Sequence, residues 1–467
     1  MHDTDTTPDR WVPGWAQEAI FYHIFPLGFL DAPARNPNEG DPVPRLGALS
    51  GWLDHIAGLG ATAVFLGPVF ESESHGYNTI DYFTVDRRLG TLDDLRRFVQ
   101  HAHLRNMRVI LDGVFNHTGR EFFAFRDLRE HGRNSRHANW YHVNWEGRSS
   151  FGDPLDYTGW AGHRSLPQLN LGNPEVRNYL FEVCRYWLGD VGIDGWRLDA
   201  ADSIDPSFWW EFRRVCKDIR SDCFLVGEVV GGDYRKYAAP DLLDSVTNYQ
   251  LYESIPRSFN TGNLWDLRAA LERADNPEWG LYRELLLFNF IGNHDVERIN
   301  TRLENPRHIY PALILLLTMR GIPCLYYGDE IGMQGRKQDG DAALRRPMPP
   351  RDSWPQGAGE LVRFVTRLVS IRKGHPALLR GTTLRVDATD HALSMIRRYH
   401  EEVAVVVINA AEAAASFEAP LHHTGLPDGL VLEDALEPGT SVSVHGGKLH
   451  IEAVPLCGGR ILIGRTG

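Results

Sequence analysis

The stretch GWRLDAAD, residues 195–202, sets an arginine and an aspartate two positions apart in a segment that otherwise reads apolar. The WLGDVGID before it ends a helical pattern and turns on Gly192. Side chains alternate along a strand, so Arg197 and Asp199 point the same way. A short strand with buried character that aims two opposite charges at one place asks what else converges there.

Outward from this stretch, one pattern repeats. A short apolar run ends in polar or glycine residues, and an amphipathic helical segment follows. The strands read as IFYHIF (20–25), TAVFL (62–66), RVILD (108–112), IDGWRLD (193–199), CFLVGEV (223–229), DSVTNY (244–249), LLLFNF (285–290) and IPCLYY (322–327). Between them lie helical patterns such as 91–105, 173–190 and 205–220; the second opens with Asn173 before Pro174, an N-cap followed by proline at the first helical position. Eight strands alternating with helices predict an α/β fold, a parallel sheet closed into a (β/α)8 TIM barrel. An open doubly wound sheet is the rival, but no GxGxxG follows the first strand. The link from the third strand to the fourth is unusually long, and its part 118–170 is rich in Trp, His, Asn and Gly, which predicts an inserted subdomain. After residue 380 helical signals vanish. The runs HALSMIRRYH, VAVVVINA, SVSVHG, LHIEAV and RILIG predict a C-terminal β-sandwich over 380–467. The expected division is barrel 1–117, insertion 118–170, barrel 171–379 and sandwich 380–467.

Composition bounds the partners. The chain has 467 residues, 43% hydrophobic and 24% charged, which is ordinary for a globular protein. Its net charge of −12 argues against nucleic acid and anionic membrane surfaces. The first fifteen residues lack the basic and apolar regions of a leader, and the apolar run 312–317 is far too short to span a bilayer. Five scattered cysteines without a CxxC pair read as free thiols in a reducing compartment, so a cytoplasmic location is expected.

A barrel of this kind places its chemistry at the C-terminal ends of its strands. The third strand ends in DGVFNH (Asp112, Asn116, His117), the fourth gives Arg197 and Asp199, the fifth Glu228, and the seventh runs into IGNHDVER, with His294 and Asp295. Four carboxylates would meet one arginine and two histidines in one mouth. Crowded carboxylates repel, so one is expected to keep its proton, while Arg197 would hold Asp199 ionised. One ionised carboxylate beside one protonated carboxylic acid is the equipment of glycoside hydrolysis. A metal-dependent hydrolase is the other use of such a cluster, but its usual HxH on the first strand is missing; only His23 stands there.

These residues resemble the alpha-amylase family, glycoside hydrolase family 13, over nearly the whole chain. DGVFNH, GWRLDAAD, VGEVV and IGNHD are similar to its four ordered signatures. HGYNTIDY (75–82) resembles the segment that supplies a sugar-stacking tyrosine, and DAALRRPM (341–348) the loop after the eighth strand. The resemblance implies Asp199 as nucleophile, Glu228 as general acid/base and Asp295 as the third, transition-state-stabilising carboxylate. It also implies substrate-binding roles for Tyr77, Asp112, His117, Arg197, His294, Asp341 and Arg345. LPQLN (166–170) is similar to the MPKLN motif of cyclomaltodextrinases, neopullulanases and maltogenic amylases. Only about eighteen residues precede the first strand, so the N-terminal β-domain of that subgroup is expected to be lacking, as in the cyclic maltosyl-maltose hydrolases that the architecture resembles.

The expected activity is retaining hydrolysis of α-glucosidic bonds in short or cyclic α-gluco-oligosaccharides. A transglycosylase or glucosyltransferase with the same site, and a non-catalytic glucan-binding protein, are the alternatives. No cofactor is expected. Asn116 matches a common calcium ligand of the family, but its companions are not identified in the sequence, so calcium is not expected and no metal is assigned. A homodimer stays open. Asp202 and Ser203 stand where many alpha-amylases have Lys-His, Asn78 replaces the aspartate of YDT, and VVGGDY follows Glu228. Trp140, Trp145 and Trp160 could each be a sugar platform or a core residue of the insertion.

Overall fold

The computed structural model describes residues 11–37 and 39–466. Residues 1–10, which carry most of the leader reading, lie outside the described residues. Eight parallel strands form the barrel: β1 Phe21–Ile24, β2 Ala63–Leu66, β3 Arg108–Gly113, β4 Gly195–Leu198, β5 Phe224–Gly227, β6 Ser245–Val246, β7 Phe288–Phe290 and β8 Ile322–Tyr326. Their order is β6-β5-β4-β3-β2-β1-β8-β7. A parallel bridge between Thr247 and Phe288 and the hydrogen bond from Asn248 N to Phe288 O (2.9 Å) close the ring. The doubly wound rival is thereby excluded.

Alternation along each strand sorts residues into two layers. Phe21, Ala63, Phe65, Ile110, Phe224, Val226, Phe288, Phe290, Ile322 and Cys324 fill the barrel interior. Tyr22, Ile24, Val64, Leu66, Val109 and Leu111 face outward to the helices. Val12, Ala16 and Ala19 plug the bottom. Strand pairing is tight at β4: a Cβ on Gly195 would lie 2.1 Å from Phe224 O, so the glycine that opens GWRLD is required by its neighbour's approach.

The expected helices are present: α1 Leu92–His103, α3 Pro174–Arg185 and α4 Pro206–Ile219, with α2 Phe123–His131 between the first two. Thr91 and Asp94 form a capping box at α1, and the Asn173 side chain accepts from Glu175 N at α3. A six-residue wide turn follows α3 and ends on Gly192 at φ 84°. Further on come α5 Tyr249–Thr261, α6 Leu264–Asp275, α7 Ile309–Thr318 and α8 Ala358–Gly374. Within residues 118–170 the chain holds α2, short turns and a small hairpin, Val143–Asn144 with Asp156–Tyr157.

Eight strands follow: β9 Thr382–Ala388, β10 Ala392–Tyr399, β11 Glu402–Asn409, β12 Ala415–Pro420, β13 Val431–Asp434, β14 Ser441–His445, β15 Lys448–Val454 and β16 Gly458–Arg465. They form one antiparallel ladder, β9-β10-β11-β16-β13-β14-β15-β12. The ladder folds over itself, so that Ile396, Val403, Val405, Val407 and Leu462 pack against Phe417, Ala419, Leu449 and Ile451 in a sandwich core. The other face of β10 and β11 (Leu393, Met395, Ala404, Val406, Ile408) joins the core that surrounds the barrel. Strand β11 is thus buried on both faces, which accounts for the unbroken apolar run VAVVVI.

Candidate active site

Arg197 is the hub. It points inward from β4, is 3% exposed and has no solvent to answer its charge. Its Nη1 donates to Asp112 Oδ1 on β3 and to Asp199 Oδ1, both at 2.8 Å, while Nη2 stands 2.7 Å from Glu228 Oε1 after β5. One guanidinium therefore gathers carboxylates from three adjacent strands. Backbone geometry helps. Ala200 sits in the left-handed region (φ 46°, ψ 41°), which turns its N–H toward Glu228 Oε2 at 3.1 Å. Non-glycine residues reach that conformation at a cost of about 1–2 kcal/mol, so the strain is stored where the chain must aim a donor.

Opposite stands Asp295. Its Oδ2 lies 2.9 Å from His294 Nε2 and its Oδ1 accepts from Arg345 Nη2 at 2.7 Å. Arg345 also donates from Nε to His294 O (3.0 Å) and lies 3.4 Å from Asp341. Tyr77 donates its hydroxyl to Asp112 Oδ2 at 3.0 Å and makes a close contact with His294 Nε2. Its ring lies nearly parallel to that of His294, 5.5 Å apart.

Above this floor opens a cavity of about 600 Å³. Tyr77, His117, Asp199, Glu228, Asp295, Asp341 and Arg345 line it. Asp112, Arg197 and His294 lie beneath, buried and holding the others. All ten residues singled out from the sequence therefore meet at one mouth. Asn116 does not reach it; its Oδ1 accepts from Gln168 Nε2 at 3.3 Å. The LPQLN segment runs antiparallel to residues 116–118, with Leu169 N donating to Asn116 O and Thr118 N to Pro167 O. Among the three tryptophans, Trp160 lines the cavity and packs 5.6 Å from the His117 ring. Trp140 is buried between Phe123 and Tyr179, and Trp145 lies under Arg133.

Burial sets the proton affinities here. It pushes the Asp199 carboxyl well up; Arg197 opposes this, but Glu228, Asp112 and Asp295 add to it. Asp112 is raised too, by burial against the pull of Arg197. This corrects the expectation that Arg197 would hold Asp199 ionised: the arginine is shared among three carboxylates in a dry site, and one positive charge does not neutralise them all. The proton belongs to the linked carboxyls as a group. Asp295 goes the other way. Burial alone would raise it, but His294, Arg345 and Arg197 hold it well below the usual carboxylate range. Burial depresses His117 to about 3, so it stands neutral with Nε2 unpartnered among the described residues, free for a ligand hydroxyl.

Sequence reasoning missed the wall residues His75, Lys337 and Tyr249. Tyr249 donates to Glu228 Oε1 at 3.1 Å and accepts from Asn293 Nδ2 at 3.0 Å. The signal was there. Tyr249 ends the sixth strand run, and the strand-end rule that found Glu228 applies to it equally.

The alpha-amylase catalytic domain profile matches residues 23–348. The chain is 37% identical over 420 residues to Neopullulanase 2 of Thermoactinomyces vulgaris, covering 85% of this chain and 70% of that protein. It is 34% identical over 438 residues to a cyclomaltodextrinase of Geobacillus thermopakistaniensis, covering 88% and 72%. Among solved structures, the cyclic alpha-maltosyl-(1→6)-maltose hydrolase of Arthrobacter globiformis matches with a TM-score of 0.80 at 29% identity, covering 97% of this chain and 100% of that one. The debranching enzyme of Nostoc punctiforme matches with 0.80 at 30% identity, covering 98% and 99%.

Proposed function

The chain belongs to the alpha-amylase family, and on that premise we propose that it is a retaining hydrolase of α-glucosidic bonds in short or cyclic α-gluco-oligosaccharides. The observation that carries the reading is the Arg197 hub, which binds Asp112, Asp199 and Glu228 together beneath one cavity. Asp199 attacks the anomeric carbon and its oxygen forms a new C–O bond as the glycosidic C–O bond breaks. Glu228 gives its proton to the departing oxygen. Water then loses a proton to Glu228 and attacks the same carbon, which frees Asp199. Asp295, kept ionised by His294 and Arg345, accepts hydrogen bonds from the sugar hydroxyls. Tyr77 offers its ring face to the sugar, and Trp160 lines the same cavity.

The reaction asks for no cofactor, and the location we propose is the cytoplasm. Among the described residues no helix is long and apolar enough to cross a membrane, and one relative is the intracellular maltogenic amylase of Bacillus subtilis, 30% identical over 430 residues. The test has two parts. Asp199→Asn, nearly isosteric, should fold and lose several orders of magnitude in rate. Chromatography of products from linear, branched and cyclic α-glucans should then show net hydrolysis of small substrates by the parent. Near-normal turnover by the Asn variant would sink the role of Asp199; products longer than the substrate would point to transfer instead.

A further inference from the structure

Three residues past Asp295 the chain buries a second arginine that takes no part in the chemistry above. Arg298 is 0% exposed. Its Nε donates to Leu344 O at 3.1 Å, and its Nη1 donates to Tyr327 O at 2.7 Å and lies 3.3 Å from Asp329 Oδ1. The guanidinium also lies over the Tyr326 and Tyr327 rings, 4.4 and 4.9 Å from their centroids. Its own N–H bonds Gly335 O at 3.2 Å. Leu344 O is the carbonyl immediately before Arg345, the residue that grips Asp295.

These links form a closed circuit. The chain runs from Asp295 to Arg298; Arg298 holds the carbonyl of Leu344; the next residue, Arg345, returns to Asp295 Oδ1 and His294 O. Tyr326 and Tyr327 brace the same segment, with Tyr326 Oη donating to Leu344 O at 3.0 Å and Tyr327 Oη to Arg346 O at 2.7 Å. On the far side Gly28 approaches so closely that a Cβ there would stand 1.9 Å from Arg345 O. A buried cation with this many directed bonds costs desolvation energy that mere packing does not require.

We propose that Arg298 is a positioning residue for Asp295, acting through the backbone of Leu344 and the side chain of Arg345. The inference rests on the reading of Asp295 as a substrate-binding carboxylate. Lysine at this place keeps the charge but cannot reach two carbonyls from a planar fork. Misplacement of a catalytic-site group by about 1 Å costs roughly a hundredfold in rate.

The experiment is a double-mutant cycle on a hydrolysable aryl α-maltoside, with folding followed by melting temperature. Arg298→Lys should lower kcat/KM about a hundredfold. In an Arg345→Ala background the same change should be nearly silent, because the link it works through is gone. Loss of the same size in both backgrounds, or parental activity in Arg298→Lys, overturns the proposal. If Arg298→Lys does not fold, Tyr326→Phe removes only one brace of the Leu344 carbonyl. A smaller loss that vanishes in the Arg345→Ala background supports the circuit, and no loss overturns it. Asp295→Asn separates the two readings. If it is fully active, the role of Asp295 fails; if it is dead while Arg298→Lys is active, only the positioning fails.

Discussion

At the scale of single residues, the site is a problem of too many carboxylates for one arginine. Asp199 must be ionised to attack, yet burial and its neighbours raise it. Activity should therefore fall as pH drops through a midpoint above the ordinary carboxylate value of about 4. Asp112 contributes to that rise by its charge and by occupying Arg197 Nη1. Asp112→Asn removes the charge, so the acid limb of kcat/KM against pH should move to lower pH, whatever the change in the plateau. A limb that stays put or moves up would show that Asp199 does not set it. The depressed histidines add nothing in this range, since His75 is pushed down to about 4 and His117 to about 3, mainly by burial. Most of this site was legible in the chain, because charged residues at the ends of apolar strands have few other uses. The strain at Ala200 was not: nothing in an alanine signals a positive φ, which arises only when Glu228 and Asp199 fix the backbone from both sides.

Among the elements, helix α7 shows how the two β structures are joined. It is apolar all round and buried, and its C-terminal carbonyls meet two buried arginines from different elements. Arg372 of α8 donates to Leu317 O and Met319 O at 3.0 Å and to Gly321 O at 2.7 Å. Arg397 of β10 donates to Thr318 O at 2.7 Å and to Leu378 O and Gly381 O at 2.5 Å. Cations at a helix C-terminus are favoured by its dipole, and burial lowers Arg372 only to about 10, so it remains charged at neutral pH. Arg397→Met would orphan three carbonyls in a dry interface, at a cost of about 3 kcal/mol. Urea unfolding should show that loss as an earlier transition of the C-terminal strands. A shift under about 1 kcal/mol would mean that Arg397 is incidental to the joint. None of this could be read from RRYH in the sequence, where the arginines look like surface charge on a strand. The same limit explains three C-terminal strands that the sequence reading missed, β9, β12 and β13. In β12 and β13 only alternate residues are buried, so their apolar signal is half that of β11.

For the molecule as a whole, the question is what the region 118–170 does to the mouth of the barrel. It is held by its own ion pairs: Asp153 binds Arg120 at 2.8 and 2.9 Å, and Asp156 binds Arg164 at 2.7 and 3.0 Å. With Asp153 and Asp156 paired and Asn116 bound to Gln168, the melting temperature should not change on treatment with EDTA; a fall reversed by calcium would contradict this. The region contributes Trp160, His163 and Leu166 to the lining of the cavity, and the loop after β8 contributes Lys337, Asp341 and Arg345. The cavity, about 600 Å³, is the size of a small-ligand site. Asp202 fixes Val230, which lines the cavity. Its Oδ2 accepts from Val230 N at 3.1 Å and ties down the loop after Glu228, where a starch enzyme would present Lys-His to an extended chain. A ring of few glucose units is already bent and gives up less conformational freedom on entering a curved pocket than a linear chain does. Hence kcat/KM should be higher on a small cyclic α-glucan than on soluble starch at equal glucose concentration. Replacing Trp160 by alanine, which removes one wall, should erode the preference by lowering the rate on the ring more than the rate on starch. Faster attack on starch by the parent protein, with random internal cleavage, would show that the wall does not restrict the substrate.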